Sequence, residues 1–136
     1  MKFKLLILSF LFSVVGWGQI LTFEFSALNG DEVNAASNFN DVNLSSSTIT
    51  RGSGLTAAGN TQRFNATNWS TVSIADAVTG NDYMEFTIAP NAGYQFSVSS
   101  IIVQWQRSNS GNVQIALRSS VDGYVANLDA IKNVAD

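Results

Sequence analysis

Short stretches in which apolar and polar residues alternate are the feature of this sequence that most constrains its fold. Near the start of the chain, Leu21, Phe23 and Phe25 occupy alternate positions, and polar residues separate them. The same period of two returns at 83–88 and at 101–106. Such a period places one face of an extended strand against a core and the other face in solvent. The sequence therefore predicts an all-β chain.

Turn-forming residues divide the chain into about seven such strands. Clusters of Gly, Asn, Asp, Pro and Ser interrupt it every 8 to 15 residues, which is typical of an antiparallel β-sandwich, here of jelly-roll type. Strand 101–106 is expected to pair with 113–117 through a hairpin at 108–112. The segment Ser73–Thr79 can form one helical turn, capped by its serine and ended by Gly80, but it is too short for a stable helix.

The first 18 residues have the three-part layout of a secretory signal peptide. Lys2 and Lys4 precede an apolar run at 5–15, and small residues end the leader near Gly18. The run is too short to cross a bilayer, which needs about twenty residues, so no transmembrane segment is predicted. Cleavage near Gly18 would release one domain, residues 19–136, into the extracellular medium or onto the cell surface.

The end of the sequence leaves two alternatives open. An eight-stranded jelly roll built from these elements needs one or two closing strands beyond Asp136, because secreted proteins normally avoid an unpaired strand edge. Residues 19–136 are then either part of a longer protein or a complete small domain.

Composition excludes several classes of function. The sequence contains no Cys and no His, which removes disulfides, thiol and imidazole catalysis, and Cys/His zinc sites. Two of the seven cationic residues lie in the leader, so residues 19–136 carry five cations against ten acidic residues, a net charge of −5. So few and scattered cations cannot neutralise a run of phosphates, and nucleic acid is not expected as a partner.

Four segments resemble a domain that recurs in secreted proteins of Bacteroidota and cyanobacteria. They are Thr50–Leu55 (TRGSGL), Gly80–Tyr83 (GNDY), Gln106–Ser108 (QRS) and Arg118–Tyr124 (RSSVDGY), within a likeness that covers roughly residues 20 to 130. The Ser-x-Asp-Gly step in the last segment is also similar to a strand end in discoidin and other galactose-binding-like jelly rolls. The resemblance implies a β-sandwich that serves as an accessory or adhesive extracellular module of a bacterial protein, and it brings no catalytic residues.

Two aromatic residues are predicted to form an exposed platform on which sugar rings stack. Trp69 lies in an Asn- and Ser-rich loop and has no apolar partner in phase with it. With Tyr124, it is the candidate platform, because a ring face complements the apolar face of a sugar. Trp105 is in phase with Ile101 and Val103 and is predicted to lie in the core.

Two arginines are candidate ligand-binding residues. Arg107 and Arg118 end two strands that are predicted to pair, and a serine follows each of them. They could recognise a carboxylate of a ligand. The alternatives are solvation of the sheet edge and a structural pair with Asp122.

Two oxygen-rich groups are candidate calcium sites, because Ca²⁺ takes oxygen ligands. One group contains Asn29, Asp31 and Glu32, and the other contains Asp76, Asn81 and Asp82. Neither has the spacing of a known calcium loop, so turn formation by these side chains is the alternative. A bound calcium ion would stabilise a secreted domain that has no disulfides.

Three functional hypotheses follow. The first is a secreted, non-catalytic module that binds carbohydrate or other cell-surface material. The second is a structural spacer domain of a longer exported protein. The third is a carboxylate-dependent glycoside hydrolase, which would require Glu24 and Glu85 to converge to a separation of about 5 Å. The two glutamates are isolated in the sequence, so no enzyme is expected and no catalytic residue is assigned.

Overall fold

The structure is a computed structural model that describes residues 18–108, 114–129 and 131–133. These residues form nine short strands, one helix of seven residues and one 3-10 turn, and every strand pair is antiparallel. The all-β, antiparallel class predicted from the sequence is therefore confirmed. The elements are β1 (Leu21–Thr22), β2 (Asn34–Ala36), β3 (Phe39–Asn40), β4 (Thr48–Arg51), β5 (Thr56–Ala57), β6 (Ala66–Thr67), α1 (Ile74–Gly80), β7 (Met84–Glu85), β8 (Gln114–Ile115), the 3-10 turn (Ser120–Asp122) and β9 (Lys132–Asn133).

The described strands form four small sheets. In the three-stranded sheet, β4 lies between β2 and β7. Ala35 is opposite Ile49, and Arg51 is opposite Met84. The remaining strands pair in twos, β1 with β3, β5 with β6 and β8 with β9. The strands β2, β4 and β7 come from separate parts of the sequence. Their pairing therefore holds the segments between them close together.

The core lies on one face of the three-stranded sheet. Ala35, Ile49 and Phe64 are buried there. Four half-buried side chains pack around them: Phe23, Phe25, Leu28 and Met84. The ring centroids of Phe25 and Phe64 are 5.8 Å apart, a separation at which aromatic rings attract each other. The alternating phenylalanines of the first strand therefore face the core, as the sequence predicts.

The β1 ladder is much shorter than the alternation at 20–28 predicts. Its two residues pair with β3, but the backbone N–H of Glu24 donates to the side-chain Oδ1 of Asn38 at 2.6 Å. The chain then turns, and the N–H of Leu28 donates to the carbonyl of Phe25 at 3.0 Å. The period of two predicts which face is buried, whereas the length of a ladder depends on backbone partners.

The segment that begins at Ser73 forms a true helix, and the prediction of only an unstable turn is wrong. Ser73 is the N-cap of α1, and its hydroxyl accepts a hydrogen bond from the N–H of Asp76 at 3.1 Å. The helix ends one residue later than predicted, because Asn81, with φ of 60°, adopts the left-handed conformation and caps it. Caps at both ends stabilise a helix that is too short to form alone.

The segment 94–106, predicted to form strands, belongs to no ladder within the described residues. Its alternation is still visible, because Ile102 is 90% exposed while Ile101 and Val103 are 39% and 47% exposed. The described partner of β8 is β9, although the sequence predicts 101–106 as the partner of this region. Residues 109–113, which contain most of the predicted hairpin, lie outside the described part of the chain.

The predicted signal peptide also falls outside the description, except for Gly18. In the part of the chain that the structure describes, no helix has the length and apolar character needed to cross a membrane.

Candidate functional site

An open cleft of about 390 Å³ lies beside the turn that joins β3 to β4. Its volume is in the range of small-molecule sites, roughly 300–1,000 Å³. It is lined by aromatic rings, amides, apolar groups and a carboxylate: Ile20, Asp41, Asn43, Leu44, Pro90, Tyr94, Gln95 and Phe96. We call this site the aromatic cleft.

The floor of the aromatic cleft is the turn Asp41–Leu44. The side-chain Oδ1 of Asp41 accepts a hydrogen bond from the N–H of Asn43 at 2.8 Å. The N–H of Leu44 donates to the carbonyl of Asp41 at 2.9 Å. Aspartate favours such a turn because its side chain can bond to the backbone two residues ahead. Leu44 is buried and forms an isolated β-bridge with Pro90, which joins the floor to a distant segment.

The wall of the aromatic cleft begins at the turn Pro90–Gly93, which the sequence predicts. The N–H of Tyr94 donates to the carbonyl of Asn91 at 3.0 Å, and Gly93 has a φ of 86°. Glycine adopts this left-handed region at little cost, so the chain can reverse there. Two further hydrogen bonds tie Asn91 to the floor: its N–H donates to the carbonyl of Asn43 at 2.8 Å and its side-chain amide to that of Val42 at 3.2 Å.

The turn presents two aromatic side chains to the cleft. Tyr94 is 53% exposed and Phe96 is 38% exposed. Each ring offers an apolar face, and the hydroxyl of Tyr94 can donate and accept hydrogen bonds. Asp41, Asn43 and Gln95, which carry a carboxylate and two amides, belong to the same lining. This combination suits a small polar ligand that also has an apolar face.

Trp69, predicted to be an exposed platform without an apolar partner, packs against Trp105. The centroids of their rings are 5.2 Å apart at an interplanar angle of 72°, an edge-to-face arrangement. The indole N–H of Trp69 donates to the carbonyl of Ala66 at 3.0 Å. Both tryptophans are half-buried, so each ring covers part of the other. Sequence phase does not reveal this contact between distant loops, and sugar binding by Trp69 stays a prediction.

Tyr124 and Arg118 lie together in the second predicted ligand-binding region. Tyr124 is 49% exposed, and its carbonyl accepts a hydrogen bond from Nη1 of Arg118 at 3.0 Å. Nε of the same guanidinium donates to Oδ1 of Asn127 at 2.9 Å. Asp122, the predicted partner of the arginine, instead accepts the N–H of Ala126 at 2.9 Å. Arg118 therefore stabilises the turn in which Tyr124 lies.

Arg107 is half-buried and lies in the segment that precedes residues 109–113. Its Nη1 donates to the carbonyl of Ser108 at 3.1 Å. The structure does not bring it into the lining of the aromatic cleft. Binding of a ligand carboxylate by Arg107 stays a prediction.

In the first predicted calcium group, the acidic side chain of Glu32 serves the backbone. Its two carboxylate oxygens accept the N–H groups of Asn29 at 2.6 Å and Gly30 at 2.9 Å. Backbone donation, with that of Asn29 the largest contribution, holds the pKa of the Glu32 carboxyl below its usual value. Asp31 is exposed. Glu32 therefore stabilises the turn that contains this group.

The second predicted calcium group stabilises the two ends of α1. Asp76 lies in the first turn, beside the capping Ser73, and Asn81 is the C-cap. The N–H of Asp82 donates to the carbonyl of Ala77 at 2.7 Å. Within the described ranges, no three acidic side chains come together as a metal-binding group. Calcium binding at either group stays a prediction, which melting curves in calcium and in a chelator would test.

Arg51 is an organising residue whose role the sequence analysis missed. Its guanidinium donates to three backbone carbonyls: Gly30 at 2.8 Å, Glu32 at 2.5 Å and Asn65 at 2.9 Å. It also lies 3.6 Å from the centroid of the Phe64 ring, within the range of a cation–π interaction. Burial lowers the pKa of this guanidinium. One side chain of β4 thus holds two loops against the core.

Two of the segments that carry the family resemblance pack on each other. The N–H of Gly52 donates to the carbonyl of Tyr83 at 2.8 Å, and that of Gly54 to Asn81 at 3.2 Å. A β-carbon at Gly52 would overlap the carbonyl oxygen of Asn81, and one at Gly54 would overlap that of Gly80. The glycines of TRGSGL therefore allow close approach to the GNDY segment, and these residues have a structural role.

The two glutamates of the hydrolase hypothesis lie on segments that contact each other, since the ring centroids of the neighbouring Phe23 and Phe86 are 5.4 Å apart. Glu24 is exposed and follows β1, whereas Glu85 is exposed and lies in β7 of the three-stranded sheet. Neither lines the aromatic cleft. A catalytic role for the pair stays untested.

The aromatic cleft was not predicted, because Tyr94 and Phe96 lie in a stretch whose pattern indicates a strand. Their position immediately after a Pro-Asn-Ala-Gly turn is the sequence signal that could have identified them, since turns bring side chains to the surface. Comparison of the chain with family models, with curated proteins and with solved structures gave no match.

Proposed function

We propose that this protein is a secreted, non-catalytic module that binds carbohydrate at the aromatic cleft. The observation that carries the proposal is the exposure of Tyr94 and Phe96 beside Asp41 in one open cleft. Sugars present apolar C–H faces together with hydroxyl groups, so a ring surface beside hydrogen-bonding groups suits them. Adhesion to cell-surface polymers is the biological role that we propose for such binding.

Two sequence features support secretion and the finer architecture. The leader at 1–18 has the layout of a signal peptide, and residues 19–136 are free of cysteine. The antiparallel pairing of the strands and the core on one face of the three-stranded sheet support a β-sandwich of jelly-roll type. Secretion and the jelly-roll sandwich are therefore both part of the proposal.

A structural spacer domain of a longer exported protein is the second candidate. It is favoured by the contacts of the resembling segments, since Thr50–Leu55, Gly80–Tyr83 and Arg118–Tyr124 are occupied by interactions that stabilise the chain. In a spacer, the aromatic cleft would have no ligand.

A glycan array distinguishes the two candidates. The purified protein is expected to bind a subset of glycans, and the Tyr94→Ala/Phe96→Ala double variant is expected to bind them at least about tenfold more weakly, a loss of about 1.4 kcal/mol. The control is Val72→Ala, which removes an exposed apolar side chain that lies outside the cleft and outside the predicted ligand-binding residues. Melting temperatures show whether each variant is folded. A folded wild-type protein that binds no glycan would support the spacer.

A further inference from the structure

We propose that the aromatic cleft selects uncharged glycans and rejects glycans that carry carboxylate or sulfate groups, with Asp41 as the residue that determines this specificity. The inference rests on the proposed function and names the class of ligand for that site. It follows from the charges around the cleft, the fixed position of one carboxylate and the hydrogen-bonding groups beside it.

The charged side chain in the lining of the cleft is acidic. Asp41 lines it, and the lining includes neither Lys nor Arg. All five cations in the described residues lie outside the lining and have partners elsewhere: Arg51, Arg63, Arg107, Arg118 and Lys132. Proteins usually recognise carboxylate and sulfate groups with arginine or lysine, and this cleft offers neither.

The carboxylate of Asp41 has a fixed position. Its backbone N–H donates to the carbonyl of Ile20 at 2.8 Å, and its Oδ1 accepts the N–H of Asn43 at 2.8 Å. The residue is half-buried, so water screens its charge less than that of an exposed side chain. An ionised carboxylate only accepts hydrogen bonds. A hydroxyl group of a ligand can donate to it, whereas an anionic group of a ligand is repelled.

The neighbouring side chains are neutral groups that both donate and accept. The lining amides of Asn43 and Gln95 and the hydroxyl of Tyr94 can bond to sugar hydroxyls in either direction. Together with the ring of Phe96, they form a surface without a positive charge. A neutral glycan can therefore form hydrogen bonds with these groups. An anionic glycan would lose the hydration free energy of its charged groups without gaining a cationic partner.

The test compares matched neutral and acidic polymers. Full-length purified protein is titrated with galactan and polygalacturonate, and with other neutral polysaccharides and alginate, at low ionic strength. We expect the best neutral polymer to bind at least about tenfold more tightly than any polyuronate. Asp41→Asn keeps a side-chain oxygen for the N–H of Asn43 and removes the charge. It should therefore reduce the ratio of neutral-polymer affinity to polyuronate affinity at least about threefold.

Asp129→Asn is the control for net charge, because Asp129 is 70% exposed and lies outside the cleft. It should leave the ratio between neutral and acidic polymers unchanged. Tight binding of a polyuronate, or an unchanged ratio in Asp41→Asn, would overturn the inference while leaving the cleft as a glycan site. A folded protein that binds neither class of polymer would overturn the proposed function itself.

Discussion

Arg51 shows how one residue can hold distant parts of a small β protein together. Its guanidinium reaches the carbonyls of Gly30, Glu32 and Asn65 and stacks on Phe64. The planar group presents its N–H donors in fixed directions, so it can satisfy several carbonyls at once. Without it, those carbonyls would lose their charged donor in a partly buried environment. Because the chain contains no disulfide, such hydrogen bonds are what hold these loops together.

Arg51→Lys should therefore destabilise the protein although it preserves the charge. A lysine has one compact ammonium group and cannot reach three carbonyls in different directions. We expect the free energy of unfolding, measured by urea denaturation, to fall by about 2 kcal/mol. The control is Arg63→Lys, whose hydrogen bonds are exposed and whose loss should cost less than about 0.5 kcal/mol. Equal losses in the two variants would contradict the role of Arg51.

Glu32 makes the stability of its turn dependent on pH. Its pKa is lower in the folded chain than the usual 4.5, so the folded state binds the proton less tightly than the unfolded state. The stabilisation is therefore complete above about pH 4.5 and is lost as the pH falls through the lowered folded pKa. We expect the difference in melting temperature between wild type and Glu32→Gln to shrink below pH 4.5. A difference that stays constant with pH would show that this carboxylate does not contribute.

At the scale of elements, the fold depends on close contact between the loop after β4 and the end of α1. Gly52 and Gly54 approach the backbone of residues 80–81 so closely that no β-carbon fits. The contact fixes the C-terminal end of the helix, where Asn81 caps a segment that is too short to be stable alone.

Gly54→Ala should lower the free energy of unfolding by at least about 2 kcal/mol, because overpacking forces backbone shifts. The melting temperature should fall with it. Gly59→Ala is the matched control, since no atom lies within 4 Å of a β-carbon placed there. Gly59→Ala should be neutral or should raise the free energy of unfolding by up to about 1 kcal/mol, because alanine lowers the conformational entropy of the unfolded chain. Thermal and urea denaturation measure both. Similar behaviour of the two variants would contradict the close approach.

At the scale of the whole molecule, burial is concentrated around one face of the three-stranded sheet. Ile49 is 9% exposed, and the aromatic side chains around it form the core. Ile102, in contrast, is 90% exposed in a segment of similar sequence character. Two isoleucines in strand-like segments thus have opposite environments. Substituting each of them compares the stability gained from a packed side chain with that from an exposed one.

Ile49→Ala should lower the free energy of unfolding by about 2–4 kcal/mol, the cost of removing a packed aliphatic side chain. Ile102→Ala should change it by less than about 0.5 kcal/mol, because its side chain is already in water. Urea denaturation with circular dichroism measures both values. A large loss in Ile102→Ala would show that the segment 94–106 is packed in solution.

Local pattern predicted more of this fold than of its candidate site. The alternation at 20–28 identified the faces of Phe23 and Phe25, and the cap at Ser73 identified the start of α1. The role of Arg51 and the contact between Trp69 and Trp105 were not predicted, since both depend on loops that are distant in sequence. The aromatic cleft was missed for the same reason.

The all-β class and the inward face of the first strand followed from the sequence by itself, because a period of two acts within a few residues and needs no knowledge of partners. Which strands pair, where each ladder stops and where a cleft opens depend on contacts that close long loops. Asp41 meets Tyr94 across about fifty residues of chain, and no local pattern contains that pairing. The candidate site is therefore a product of tertiary packing. The sequence predicts one of its two turns, Pro90–Gly93, but not the turn Asp41–Leu44, where it favours a strand.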